Sequence, residues 1–86
     1  MTEEVKSVFK GRVTDVLADG YVLCVTVSND DGDADIDLEH LQLPATAIEY
    51  GSNVRGFATI ESKNLVASSI AVKKNESTGW QRYVRI

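Results

Sequence analysis

Residues 33–39, D-A-D-I-D-L-E, change character at every position. Asp33, Asp35, Asp37 and Glu39 occupy one parity, and Ala34, Ile36 and Leu38 the other. A helix would scatter both sets around its circumference. A strand points successive side chains to opposite faces, so the spacing predicts an extended segment with one acidic side and one apolar side. Such a strand has no stability alone; the rest of the chain must pair with its edges and cover its apolar face.

The flanking segments read as those partners. Residues 5–17 are strand-like, with Phe9, Gly11 and Val13 alternating against Lys10, Arg12 and Thr14, and residues 2–4 read as a frayed end. Asp19-Gly20 and Asp31-Gly32 each follow an apolar alternating run, the strongest short-range hairpin signal in a sequence. Residues 21–28 form the strand between them, and Tyr21, Leu23, Val25 and Val27 are expected to face the core. Pro44 has no amide hydrogen to give a ladder but suits the first turn of a helix, so residues 45–50 are expected as a short helix stopped by Gly51. Residues 54–61 and 65–72 complete a second hairpin. In it Val54, Gly56, Ala58, Ile60, Val66, Ile70 and Val72 are expected inside, and Arg55, Phe57, Thr59 and Glu61 outside. Residues 73–79 are a polar connector, and residues 80–86 an aromatic and basic tail.

The order is therefore a meander of three strands, a short helix, and a two-stranded hairpin. This predicts an all-β fold, a small five-stranded OB-like barrel with a C-terminal strap, because closing five strands removes exposed edges. An SH3-like barrel and an open five-stranded sheet are the structural competitors. The expected organisation is one domain over residues 1–86, its core at about 5–73, since 86 residues support a single compact core. One cysteine, Cys24, excludes an internal disulfide, and with a single histidine it excludes the common Cys/His zinc sites. No leader-like or membrane-length apolar run is present, so a cytoplasmic location without membrane contact is expected.

Charge is divided along the sequence. Residues 1–50 carry eleven acids against three bases, a net of −8, and residues 51–86 carry six bases against two acids, a net of +4.

Residues 11–13 (Gly-Arg-Val) with Val16 and residues 20–22 (Gly-Tyr-Val) resemble the S1-like branch of the OB-fold, as do the strand over 33–41 and the opening 50–54 (Tyr-Gly-Ser-Asn-Val). The resemblance covers about residues 9–73. It implies an RNA-binding barrel, with bases stacking on strands two and three and Tyr21 in the first aromatic position. The stretch 34–38 departs from that pattern: its acids would repel a phosphate backbone.

Three features are candidates for function. Phe57 beside Arg55, with Lys10 and Arg12 on another strand, supplies an aromatic flanked by cations, which is what base stacking on a charged backbone requires. Trp80, Arg82, Tyr83 and Arg85 concentrate the residue types of stacking platforms and interface hot spots, or else form a sixth strand or a strap in which Trp80, Val84 and Ile86 pack on the barrel. The row Asp33, Asp35, Asp37 and Glu39 is either a solvated face balanced by Lys10, Arg12 or Arg55, or a docking surface for a basic protein partner. It fails as a calcium loop: position one, counted back from Gly32, is Val27, and the closing acid position is Leu38. His40 lacks partners for catalysis or ligation, and Cys24 lacks a local cation to activate it and reads as a small core residue. A non-enzymatic binding module is expected, with no cofactor and no metal. RNA or single-stranded DNA is the first ligand class, through Lys10, Arg12, Tyr21, Arg55, Phe57, Trp80, Arg82 and Tyr83. A basic protein partner on the acidic strand is the alternative.

Overall fold

The computed structural model of the protein describes residues 6–75 and 79–84. It contains β1 (Lys6–Asp19), β2 (Tyr21–Asn29), β3 (Gly32–Asp37), β4 (Asn53–Glu61), β5 (Asn64–Lys73) and β6 (Gln81–Val84), with a 3-10 turn, Glu39–Leu41, between β3 and β4. The long β1 serves two neighbours: residues 6–12 pair with β4 and residues 12–19 with β2. β2 carries β3, β4 carries β5, and the ring closes where β3 meets β5 in parallel through Ile36–Leu65 and Asp37–Val66. The result is an all-β, five-stranded closed barrel, compatible with an OB-like fold, with β6 bonded outside it on β5. The expected strap is thus a sixth strand. Residues 2–5, Glu76, Ser77, Thr78, Arg85 and Ile86 lie outside the described residues.

Both Asp-Gly turns form as the sequence predicts, with Gly20 and Gly32 at positive φ. The alternation in β3 is realised: Ile36 and Leu38 are fully buried, Ala34 packs against the core, and Asp33 and Asp35 are exposed. The barrel interior is filled by Phe9, Val13, Val25, Val27, Ile36, Leu38, Val54, Ala58, Ile70 and Val72. Aliphatic side chains from every barrel strand thus cover the apolar side of β3, as its one-sided pattern demands.

Several expectations fail for identifiable physical reasons. In β2 the inward set is Val22, Val25 and Val27; Tyr21 is 39% exposed and Leu23 only half-buried. The ladder to β1 skips Leu23, pairing Leu17 with Cys24 and Ala18 with Val22, and this bulge reverses the parity of everything before it. A second bulge skips Thr14 in β1. In β5 the skipped residue is Ser68, so Ala67 and Leu65 turn toward the central cluster; Val66 is buried as well, beside the parallel seam with β3. Ile60 is 55% exposed because it stands next to the Ser62-Lys63 hairpin tip, beyond the body of the barrel. The helical turn precedes Pro44 instead of following it. Pro44 forms an isolated bridge to Tyr21, and the Val22 amide donates to the Leu43 carbonyl at 2.8 Å, so residues 43 and 44 are held extended against β2. Residues 45–50 then run as turns, with Ala47 and Ile48 buried. Glu39 belongs to the turn and not to the strand; the Asp37 Oδ1 atom accepts its backbone amide at 2.9 Å.

Gly56 shows how tightly β4 and β5 approach. A Cβ there would overlap the Ser69 carbonyl oxygen and stand 2.8 Å from the Phe9 ring. Gly56→Ala is therefore expected to destabilise the domain by about 2–3 kcal/mol through overpacking, read as a lowered midpoint in urea unfolding.

Candidate functional site

Because Val54 and Ala58 point inward, Arg55 and Phe57 point out, and pairing extends this outer surface across four strands. Reading the register across β1, β4, β5 and β6 gives one row of Val8, Phe57, Ser69 and Val84, and a second of Lys10, Arg55, Ala71 and Arg82. A third row holds Arg12, Asn53 and Lys73. Adjacent strands lie about 4.8 Å apart, so the second row sets Lys10 directly beside Arg55, with Arg82 two strands further on. Like charges directly opposite each other are destabilising, and among the described residues none of Lys10, Arg12, Arg55, Lys73 or Arg82 forms an ion pair. The row is electropositive and available to an anion.

Aromatic surface adjoins it. The Trp80 ring stacks on the Arg55 guanidinium, 4.2 Å from centroid to Cζ, a cation–π contact that holds Arg55 in place without neutralising it. Trp80 remains 39% exposed and Phe57 46% exposed. Together they edge a groove of about 470 Å³, bounded by Val8, Phe57, Arg55, Trp80 and Arg82. Its floor is made of the Gly56 backbone with Ser69 and Ala71, whose small side chains keep the centre of the outer sheet low. A second hollow of about 360 Å³ lies across the Arg55–Trp80 pair, lined by Lys10, Gly11, Asn29, Asn53 and Val54.

The opposite side of the barrel is acidic. Asp15, Thr26 and Asp35 share one row across β1, β2 and β3, and Leu17, Cys24 and Asp37 the next. Arg12 shares a row with Asp33 but is separated from it by Ser28. The Asp35 Oδ1 atom accepts the Thr26 hydroxyl at 2.8 Å. The carboxylates of Asp15, Asp35 and Asp37 therefore lie in rows of β1, β2 and β3 apart from the row of Lys10, Arg55 and Arg82, which does not offset them. Among the described residues no three His, Cys, Asp or Glu side chains are gathered as a metal site.

Cys24 is half-buried on this acidic side and stands outside the core cluster, because the Leu23 bulge leaves it in the outer row. Burial first, then the charges of Asp35, Asp37 and Asp15, push its thiol up from the ordinary value, outweighing a hydrogen bond from the Ile36 backbone. Less thiolate is present at a given pH in the folded protein than in the unfolded chain. Alkylation of the folded protein near pH 8 is expected to be several-fold slower than in urea, with the ratio narrowing as pH rises.

Of the residues singled out in the sequence, Arg55, Phe57, Trp80 and Arg82 come together around the groove, and Lys10 lines the second hollow across the Arg55–Trp80 pair. Arg12 lies one row away. Tyr21 is distant, at the start of β2 beside Pro44. Tyr83 turns the other way, opposite Ile70, and packs against the core. Val84 is 55% exposed, so in the tail it is Tyr83 that anchors β6 to the barrel. Val8, Asn53 and the floor residues were not singled out. Val8 and Asn53 share the outward parity of their strands, a signal that was present, whereas the floor emerges only from the β4–β5–β6 register. No protein-family model, curated protein or solved structure matches the chain.

Proposed function

We propose that the protein is a non-enzymatic module that binds single-stranded nucleic acid, RNA or DNA, on the outer face of β1, β4, β5 and β6. The observation that carries this reading is the cross-strand row of Lys10, Arg55 and Arg82, without carboxylate partners, running beside the exposed rings of Phe57 and Trp80. Cations tracking a phosphate backbone next to aromatic faces are the two ingredients of sequence-tolerant single-strand binding. A duplex keeps its bases stacked inside and has nothing to offer Phe57. The S1-like resemblance favours RNA as the ligand. Its customary surface on strands two and three is the acidic side of this barrel, so the site proposed is a different one.

Trp80 is the sole tryptophan, so its fluorescence reports on the groove directly. Titration with an unstructured oligonucleotide should quench it, and log affinity should fall with log salt at a slope of about −2, as expected for three neutralised phosphates on a single strand. Phe57→Ala should weaken binding by about fivefold or more without changing that slope. A flat titration at low salt would reject the reading. The acidic face around Cys24 supports a second one, docking of a basic protein partner. If oligolysine binds where oligonucleotides do not, and Asp35→Lys with Asp37→Lys abolishes that binding, the second reading replaces the first.

A further inference from the structure

We infer that the groove is a two-base site, in which the Arg55–Trp80 stack separates two successive, splayed nucleotides. This rests on the single-strand reading above. Arg55 and Trp80 line both hollows, one on either side of them. Along β4 the outward residues flanking Arg55 are Phe57 and Asn53, each about 7 Å away, so each hollow has its own contact residue.

The two hollows differ in chemistry. The first offers the exposed Phe57 ring and Val8 over a floor of Gly56, Ser69 and Ala71, a surface that stacks any base. The second is polar. Asn29 is already committed there: its Nδ2 donates to the Lys10 carbonyl at 2.7 Å and its Oδ1 accepts the Asp31 amide at 2.8 Å. The Asn53 side chain makes no hydrogen bond among the described residues, and its amide group is open to a base edge. The first hollow therefore accepts bases without preference, and the second discriminates among them. A stacked cation and indole between the two prevents the bound bases from stacking on each other, as inserted side chains do elsewhere.

The test uses octanucleotides with a constant number of phosphates and zero, one, two, three or eight bases, the remaining positions abasic, followed by Trp80 fluorescence at low salt. Affinity is expected to rise by about fivefold or more with the first base, again with an adjacent second, and little thereafter. Phe57→Ala, at an exposed position, should remove one of the two steps, and Asn53→Ala should narrow the differences between bases at the other. If the full octanucleotide binds but one base suffices, or if the third and later bases continue to add, the two-base site is wrong while the single-strand reading stands. Survival of both steps in Phe57→Ala would also overturn it. If the full octanucleotide does not bind, the single-strand reading fails and the two-base site falls with it.

Discussion

Lys10→Glu together with Arg82→Glu is expected to lower affinity for a single-stranded oligonucleotide on the order of 100-fold at low salt, the loss of two charge-assisted contacts at about 1.5 kcal/mol each. The same pair should leave the unfolding midpoint unchanged or slightly raised. Lys10 faces Arg55 directly across the β1–β4 ladder, and Arg82 lies two strands away in the same row. Both cations are exposed. Putting acids at their positions relieves like-charge repulsion worth a few tenths of a kcal/mol and spares the Arg55–Trp80 stack. Binding and stability should therefore move in different directions, which a variant that merely misfolds would not produce. The cost of keeping three cations in a row is a mark of a surface shaped by something other than folding. Fluorescence titration and urea unfolding on the same preparation read both quantities. Retention of wild-type affinity in the double variant would remove the row from the binding surface.

Ile36→Ala is expected to cost about 2–5 kcal/mol, a large share of the roughly 5–10 kcal/mol that a domain of this size has. Ile36 is fully buried, it lies in the core cluster, and its backbone is one of only two in β3 that close the ring on β5. The adjacent Asp35→Ala removes only an exposed hydrogen bond with Thr26 and should cost about 1 kcal/mol or less. The contrast between neighbouring residues, measured as urea midpoints, reads the two-sided character of β3. Equal effects at the two positions would mean that Ile36 is not the inward residue of a closing strand.

The legible parts of the fold were those set by local chemistry. A strict two-residue period, two Asp-Gly turns and a proline between strands are enough to order the strands, since each acts through its own backbone. What escaped depends on contacts between distant segments. Leu23 is skipped by the β1 ladder, while on the other edge of β2 its carbonyl accepts the Leu38 amide at 2.9 Å and carries the β3 pairing one residue further; no feature of residues 21–28 announces the bulge. That single displacement moved Tyr21 out of the core and Val22 into it. Residues 45–50 lost their helix for a similar reason. The Gly51 amide donates to the Val13 carbonyl, and the Val13 amide to the Ser52 carbonyl, pinning the segment against the β1 bulge. At the candidate site, an outward Arg55 and Phe57 followed from alternation. That Arg55 faces Lys10 and carries Trp80 depended on the registers of β1–β4 and β5–β6, which alternation leaves open.

Chemical-shift mapping of the backbone and the Trp80 indole, with an unstructured oligonucleotide added at low salt, tests the central claim most directly. Perturbations should cluster at Val8, Lys10, Asn53, Arg55, Phe57, Trp80 and Arg82 and disappear as salt is raised, with residues of the β2–β3 face unmoved. Shifts centred on Thr26, Asp35 and Asp37, or no shifts at all, would contradict it.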